Sequence, residues 1–157
     1  MADVWKSMLA KDAISGKEGT VHATINGEVI PVAECKNINA KITKKKNEFK
    51  SLGHRGSQYK ATGWSGAGTF TIHYASSRWA KMMIDYANKG IDTYFKIDVV
   101  NEDPTSSIGK QTVTLIDCNF DEAEIAKIDV EADFLDQTMN FTFSDVEMPD
   151  EFKKLNS

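Results

Sequence analysis

Residues 34–74 read ECKNINAKITKKKNEFKSLGHRGSQYKATGWSGAGTFTIHY. Two segments of this stretch, residues 36–46 and 66–74, alternate apolar with polar side chains. A period of two is typical of a half-buried antiparallel strand. The two segments therefore predict a long β-hairpin around which the rest of the chain is organised. The apolar faces consist of Ile38, Ala40 and Ile42 in the first segment and Phe70, Ile72 and Tyr74 in the second.

The connection between these two strands, residues 44–63, is basic and contains no long apolar run. A connection of that length inside a compact domain is usually functional or mobile. We therefore predict a basic assembly loop that leaves the body of the domain to meet a partner. Its basic residues are Lys44, Lys45, Lys46, Lys50, Arg55 and Lys60.

The charge of the chain is unevenly distributed. The 157 residues have a net charge of −4. Residues 36–60 carry a single acid, Glu48, whereas residues 117–151 carry twelve acids against one base, Lys127. Such asymmetry is evidence about association rather than about fold. It predicts that copies of the chain bind each other head to tail.

The first 14 residues are predicted to form a weakly helical N-terminal arm. Lys6, Lys11 and Asp12 interrupt its apolar residues, so we expect no secretory segment here. No run of the sequence is long enough to span a bilayer as a helix. The residues at helical spacing in this arm are Val4, Trp5, Met8 and Leu9.

One good helix is predicted over residues 77–89. Ser76 can cap its start, and Gly90 suits the left-handed position that follows its end. Its apolar stripe is expected to pack on a sheet as part of the core. The stripe consists of Trp79, Met82, Met83 and Tyr86.

The remaining segments predict short strands. Asn26-Gly27 between two extended runs is a strong hairpin signal, and Pro31 places the second run at a sheet edge. Residues 152–157 are expected to be a frayed tail. We predict one domain over residues 1–157, mainly β with one packed helix, as an antiparallel β-sandwich or barrel-like fold. The further strands are predicted at residues 20–25, 28–32, 93–100, 111–120, 124–134 and 138–146.

Two of these predicted strands have unusual patterns. Residues 111–120 are apolar on both faces, which indicates either burial on both sides or a bulge. In residues 124–134, apolar side chains alternate with Asp129, Glu131 and Asp133. Paired carboxylates can perform acid–base chemistry, but an acidic face that meets solvent or a partner is the commoner outcome. The alternating apolar residues are Ile128, Val130, Ala132 and Phe134.

The sequence contains no recognisable catalytic, cofactor or metal site. Residues 63–68, GWSGAG, fit neither a dinucleotide fingerprint nor a nucleophile elbow, and indicate the start of a strand where backbones approach closely. His22, His54 and His73 lack the spacing of metal ligands. Cys35 and Cys118 are expected to be thiols rather than a disulfide. We therefore expect no enzyme activity, no cofactor and no metal.

Nucleic-acid binding is an alternative function for the basic loop. Basic patches bind phosphates, but Phe49 and Tyr59 are the only aromatic residues within residues 44–60. Single-strand binders use more stacking platforms, and the acidic surface would repel a duplex. The alternative is a small monomeric binding module that holds nucleic acid or an acidic protein through residues 44–60.

The chain resembles the tail tube proteins of contractile-tailed phages, of the type found in PBSX-like defective prophages of Gram-positive bacteria. The order and spacing of several short motifs carry the resemblance, which covers most of the chain. One departure is the N-terminal arm, residues 1–14, which is longer than in the family. The motifs are Ser15-Gly16-Lys17-Glu18-Gly19, Gly53-His54-Arg55, Thr62-Gly63-Trp64-Ser65-Gly66-Ala67-Gly68-Thr69, Met82-Met83-Ile84-Asp85-Tyr86 before Gly90, Tyr94-Phe95, Val113-Thr114-Leu115 and Phe141-Thr142-Phe143.

The resemblance implies a β-sandwich-like fold that forms hexameric rings. The rings would stack into a hollow tube, with an inner β-barrel lining the lumen and a sheath outside. Implied partners are further copies of the chain, the tail sheath protein, and tape-measure, baseplate and tail-terminator proteins. DNA would pass through the lumen of a phage tail, and a headless bacteriocin would conduct ions. The subunit would be made in the host cytoplasm and assembled in the tail, with no stable membrane or small-molecule ligand.

The physical properties of the sequence agree with that implication. Long amphipathic strands leave edges that invite pairing, and neighbours in a ring can pair them by closing a barrel. Stacking is a heterologous contact that repeats without closing, and opposite charges would set its polarity. The predicted self-assembly residues are Lys41, Lys44, Lys45, Lys46, Asn47, Phe49, Lys50, Arg55, Tyr59, Lys60, Asp129, Glu131, Asp133, Asp145 and Glu147.

Overall fold

A computed structural model describes residues 8–154. It confirms a mainly β fold with one α-helix. Within the described residues, no helix is long and apolar enough to cross a membrane. The elements are β1 (Gly19–Ile25), β2 (Glu28–Pro31), β3 (Cys35–Phe49), β4 (Gln58–His73), α1 (Arg78–Lys89), β5 (Phe95–Glu102), β6 (Lys110–Phe120), β7 (Asp136–Phe143) and β8 (Asp145–Asp150).

The elements divide into two compact units. The first contains β1, β2, β5, the part of β6 up to Ile116, and β8 from Val146 onward. The second contains β3, β4, α1, β7 and the last residues of β6. Whether the chain behaves as one domain over residues 1–157 stays a prediction.

The first unit is organised around β1, which pairs antiparallel with β2 on one side and β5 on the other. The predicted Asn-Gly hairpin is confirmed, because Asn26 and Gly27 have φ values of 52° and 82° and Ile25 pairs with Glu28. Pro31 ends β2, which is the outermost strand of this unit. The buried apolar residues of the unit are Ala23, Ile25, Val32, Phe95, Ile97 and Leu115.

The N-terminal arm is fastened by two buried carboxylates instead of by a helix. Only Ala10–Asp12 forms a short 3₁₀ turn, so the weak helix predicted for residues 1–14 is wrong over residues 8–14; residues 1–7 lie outside the described part. Asp12 accepts hydrogen bonds from the Leu9 N–H and the Ser107 hydroxyl. Asp103 accepts bonds from the N–H groups of Ser15 and Thr105, each at 2.9 Å. Hydrogen bonds to these two carboxylates, including those that join residues 12 and 15 to residues 107 and 103, therefore replace helical packing in this segment.

The hydrogen bonds to Asp12 and Asp103 make the stability of this segment depend on pH. The Thr105 hydroxyl and the Ser15 and Thr105 N–H groups hold the pKa of Asp103 below its usual range. The hydrogen bonds of Asp12, first that from Ser107, lower its pKa as well. Groups with a lowered folded-state pKa stabilise the fold above their unfolded pKa, near 3.9, and lose that contribution as the pH falls through the lower folded-state value.

We therefore expect the Ser15 and Thr105 amides to keep constant hydrogen-exchange protection factors from about pH 7 to pH 4, and to lose protection below that. The Ala23 amide, in the centre of β1, serves as the internal control. Protection of all three amides that stayed unchanged to pH 2 would contradict the assignment.

The second unit is organised around the predicted long hairpin. β3 and β4 pair antiparallel from Cys35 opposite Ile72 to Phe49 opposite Gln58. The prediction that residues 44–63 form a loop is wrong, because strand structure continues through residues 44–49 and 58–63 and leaves only residues 50–57 as the connection. Once hairpin register is set, each further residue adds ladder hydrogen bonds, so the strands extend despite their charge.

β7 covers only the base of this hairpin, pairing with β4 from Gly66 to His73. Beyond that point, the two hairpin strands pair only with each other in the described part of the chain. The half-buried face predicted for the first strand is therefore confirmed at Ile38 but wrong at Ala40 and Ile42, which are exposed.

The glycines of residues 63–68 allow the close backbone approach that the sequence predicts. A Cβ at Gly68 would collide with the Asn39 carbonyl oxygen and the Phe141 ring, and one at Gly66 would collide with the Phe143 ring. A Cβ at Gly63 would meet nothing within 4 Å. Glycine is thus required at residues 66 and 68, where the sheet packs on its own aromatic side chains.

Gly68→Ala is expected to lower the free energy of unfolding by about 1–3 kcal/mol, since overpacking against a backbone carbonyl cannot be relieved by a side-chain rotation. Gly63→Ala is the matched control and should be neutral or slightly stabilising. Urea unfolding of the two variants measures both effects. Equal stabilities would show that the strands separate readily at Gly68.

The helix α1 begins and ends close to its predicted limits. The Ser76 hydroxyl accepts a hydrogen bond from the Arg78 N–H, and Gly90, with φ 70°, ends the helix by donating to the Tyr86 carbonyl. Trp79 is 1% exposed, and its ring lies edge-on to Phe70 and Phe120, at centroid distances of 5.8 and 5.3 Å.

The rest of the predicted apolar stripe on α1 is less buried than expected. Met82 and Met83 are half-buried, and Tyr86, at 55% exposure, is not a core residue as predicted. Tyr86 lies two turns, about 10 Å, beyond Trp79, and a spacing of seven residues drifts by about 20° around a straight helix. Only the first turn therefore packs on the aromatic cluster.

β6 contains the irregularity that its two-faced apolar pattern predicts. Leu115 is buried in the first unit, while Cys118 and Phe120 are buried in the second. Asp117 between them has a left-handed φ of 55°, which shifts the alternation by one residue. The structure therefore favours the bulge over burial of both faces.

Candidate self-assembly surfaces

The hairpin tip, defined here as residues 44–60, is a basic surface that is exposed throughout. It contains six basic residues and one acid, Glu48, for a net charge of +5 with histidine neutral. Glu48 accepts a hydrogen bond from the Ser57 hydroxyl at 2.7 Å and lies 3.6 Å from the Lys50 ammonium. Among residues 8–154, the three consecutive lysines Lys44–46 form no ion pair, so their ammonium groups are available to a partner.

The hairpin tip also has an apolar concavity. A cavity of about 610 Å³ is lined by Phe49, Gln58, Tyr59, Lys60 and Ala61. The rings of Phe49 and Tyr59 are both more than half exposed. Large exposed apolar surfaces with a charged rim mark interaction sites, so this end of the hairpin is suited to receive apolar side chains from a negatively charged partner.

The acidic segment, defined here as residues 121–135, has the opposite character. It contains six acids and one base, Lys127, for a net charge of −5. The strand predicted over residues 124–134 is wrong, because no strand forms between β6 and β7. Ile128, Val130 and Phe134 are consequently 92%, 94% and 84% exposed.

Repulsion between like charges is a physical reason why the alternating pattern forms no strand. A strand would place Asp129, Glu131 and Asp133 on one face about 7 Å apart, where like charges repel. Asp129 instead accepts the Glu131 N–H in a local turn.

Both ends of the acidic segment are fixed near the base of the hairpin. The Tyr74 N–H donates to the Leu135 carbonyl, and the Asp121 N–H donates to the Asn140 carbonyl, each at 2.8 Å. Lys127 donates to the Asp136 carbonyl at 2.7 Å and pairs with Glu124 at 3.3 Å. The segment is therefore held at its ends while its apolar side chains between residues 128 and 134 stay uncovered.

Asp136, the first residue of β7, strengthens this attachment. Its carboxylate oxygens lie 2.9 Å from the Lys36 ammonium and 2.9 Å from the His73 Nδ1. The Lys36 hydrogen bond, together with that of His73, holds the pKa of Asp136 below its usual range. These contacts join β3, β4 and β7 where the acidic segment ends.

The basic and acidic surfaces lie at opposite ends of one strand. β4 has 16 residues, so its ends are about 50 Å apart at 3.3 Å per residue. Gln58 at one end belongs to the hairpin tip, and His73 at the other pairs with Asp136, which follows the acidic segment. The basic and acidic regions of the sequence are therefore also separated in space, one at each end of the hairpin.

Three of the predicted self-assembly residues lie outside both the hairpin tip and the acidic segment. Lys41 is exposed in β3, and Asp145 and Glu147 are exposed in β8, outside the acidic segment. Among residues 8–154, no three His, Cys, Asp or Glu side chains are grouped so that they could hold a metal ion. Cys35 and Cys118 are not joined by a disulfide. Sequence reasoning missed the exposure of Ile128, Val130 and Phe134, for which the dense flanking carboxylates were the available signal.

The chain was compared with known families and proteins. A family model described as phage tail tube protein matches residues 6–150. Two proteins of Bacillus subtilis (strain 168) are 38% identical: the phage-like element PBSX protein XkdM, over 92% of this chain and 95% of its own length, and the uncharacterized protein YqbM, over 94% and 97%.

Solved structures share the fold at low sequence identity. One is the baseplate of the anti-feeding prophage, at 12% identity and a TM-score of 0.67, covering 89% of this chain and 97% of that one. Another is the sheath–tube complex of an extracellular contractile injection system, at 11% identity and a TM-score of 0.66, covering 88% and 93%. The arrangement of strands and helix described above is therefore found in components of contractile particles.

Proposed function

Because this chain belongs to the phage tail tube protein family, we propose that it is the structural subunit of the hollow inner tube of a contractile tail, built from stacked hexameric rings. The role is structural: the subunit contributes surface to an assembly and performs no reaction. Its tube would conduct DNA in a phage, or ions in a headless bacteriocin, across the envelope of the target cell. The family match over residues 6–150 carries the proposal.

The free edge of β3 supports ring formation. β3 is the outermost strand of its unit, and among the strands of residues 8–154 its 15 residues pair with β4 alone. Long unpaired edges invite pairing with another chain. In a ring each subunit would pair this edge with its neighbour, which closes a barrel and removes the edges.

The partners follow from the position of the tube in a tail. A sheath protein would surround it, and tape-measure, baseplate and terminator proteins would set its length and close its ends. The subunit would be synthesised in the host cytoplasm and incorporated there into the tail. The residues proposed to form contacts between copies are Lys41, Lys44, Lys45, Lys46, Asn47, Phe49, Lys50, Arg55, Tyr59, Lys60, Asp129, Glu131, Asp133, Asp145 and Glu147.

The test is assembly of the purified chain. Sedimentation at high protein concentration, followed by negative-stain microscopy, should show rings and tubes. Monomers alone at high concentration, with neither rings nor tubes in the micrographs, would contradict the proposal. Monomers that shift in a gel with nucleic acid would instead favour the small binding module that uses residues 44–60.

A further inference from the structure

The acidic segment leaves a large apolar surface uncovered. Ile128, Val130 and Phe134 are each more than four-fifths exposed, so no strand or helix within residues 8–154 covers them. Each side chain is flanked by carboxylates, so the segment stays soluble while it is alone. Apolar residues rimmed by charge mark an interaction surface, and the partner must supply positive charge around an apolar surface.

The hairpin tip of this same chain has those properties. Its charge of +5 matches the charge of −5 on the acidic segment. The residues that line its concavity of about 610 Å³ include Phe49, Tyr59 and Lys60. Charge complementarity of this kind steers encounter and fixes register, while the apolar contact supplies affinity.

The two surfaces cannot meet within one copy. Residues 128–134 are held on both sides, because Lys127 donates to the Asp136 carbonyl and the Tyr74 N–H donates to the Leu135 carbonyl. Asp136 pairs with His73, which lies nine residues along β4 from Trp64, the partner of Lys44, and twelve residues from Ala61 in the concavity. Those separations are about 30 and 40 Å, whereas the chain between the two attachments reaches about 17 Å at most. The occupant of the acidic segment is therefore the hairpin tip of a second copy.

We propose that the acidic segment of one copy docks on the hairpin tip of the next, with Ile128, Val130 and Phe134 filling the concavity beside Phe49 and Tyr59 and the carboxylates facing Lys44–46. The inference rests on the proposed tube function and names the contact that makes the tube grow. Because the two surfaces differ and lie at opposite ends of the hairpin, the contact is heterologous and repeats without closing. All copies then point the same way along the axis.

Disulfide trapping tests the contact directly. Ala61 lines the concavity and Val130 lies in the middle of the acidic segment, so Ala61→Cys and Val130→Cys are made in separate full-length proteins and mixed. Burial raises the pKa of the native Cys35 thiol to about 11, so the introduced thiols react preferentially near pH 8. Ala61→Cys mixed with Ile91→Cys, an exposed residue outside both surfaces, is the matched control.

We expect about tenfold more covalent dimer in the first mixture than in the control, because docking raises the effective concentration of the two thiols. Equal dimer yields in the two mixtures would overturn the proposal. Micrographs of the same samples distinguish a failure of this proposal from a failure of the proposed function. Tubes without the specific dimer would contradict only the docking contact. The specific dimer without rings or tubes would support the docking contact and contradict the tube function.

A variant tests the apolar part of the contact. Ile128→Ser/Val130→Ser/Phe134→Ser keeps every charge, and the three side chains are already exposed, so the subunit should keep its circular dichroism spectrum. Rings should still form, while elongation into tubes should be lost. The control, Ile84→Ser/Ile91→Ser/Met148→Ser, removes three other exposed apolar side chains and should elongate normally. Normal tubes from the first variant would overturn the proposal.

Discussion

Subunits with the Lys44→Glu, Lys45→Glu and Lys46→Glu substitutions are expected to fold normally and to stop elongating. All three lysines are exposed in the part of β3 that β7 does not reach, so the core is unaffected. At the proposed contact the substitutions place like charges opposite Asp129, Glu131 and Asp133. Exposed ion pairs contribute only about 0.2–1 kcal/mol each, but the proposed hexameric ring would repeat every pair six times. The sum is large enough to decide whether a ring adds to the tube.

Tube length measured by negative-stain microscopy is the readout. Lys17→Glu/Lys81→Glu/Lys153→Glu changes the net charge equally at exposed positions elsewhere and is the matched control. Parent tubes should also shorten as salt rises, because exposed charges are screened over about 8–10 Å at physiological ionic strength. Unchanged tube length and salt response in the triple variant would mean that apolar contact and strand pairing alone drive stacking.

Trp79→Ala is expected to lower the free energy of unfolding by about 3–5 kcal/mol, as for other fully buried aromatic residues. Trp79 is the only residue of α1 that is fully buried, and it contacts Phe70 and Phe120 edge-on. Its removal leaves a cavity between the helix and the sheet, which the aromatic rings on either side cannot collapse to fill. A loss of this size is a large part of the stability of a typical domain.

Urea unfolding at pH 7 measures the loss, and Tyr86→Ala is the matched control on the same helix. Tyr86 is exposed at the last turn, so its truncation should change stability by less than about 0.5 kcal/mol. Similar losses in the two variants would mean that the helix docks along its whole length. A loss near zero for Trp79→Ala would contradict the packing of the helix on the sheet.

Local signals in the sequence predict the turns and helix ends well. Asn26-Gly27 and Gly90 occupy left-handed backbone positions that other residues adopt at a cost, so their placement follows from residue type alone. The hairpin is likewise confirmed because its alternation is long. These features depend on a few neighbouring residues and not on what the rest of the chain places beside them.

Features that depend on neighbours could not be predicted in the same way. The acidic segment has the period of a strand but forms none, and periodicity alone does not account for the repulsion among Asp129, Glu131 and Asp133. The strand predicted over residues 36–46 continues to Phe49, because β4 remains opposite it. Of the candidate assembly residues, the sequence identifies the charges, whereas the exposed Ile128, Val130 and Phe134 emerge only from the structure.

The division of β6 at Asp117 limits how recombination between related genes can exchange parts of this protein. The first unit is assembled from three separate stretches of the chain and the second from two, and β6 runs through both. No single break in the gene isolates either unit, so a single crossover between related genes cannot exchange one unit intact. A viable hybrid protein is therefore expected only from crossovers that leave all five stretches with compatible partners.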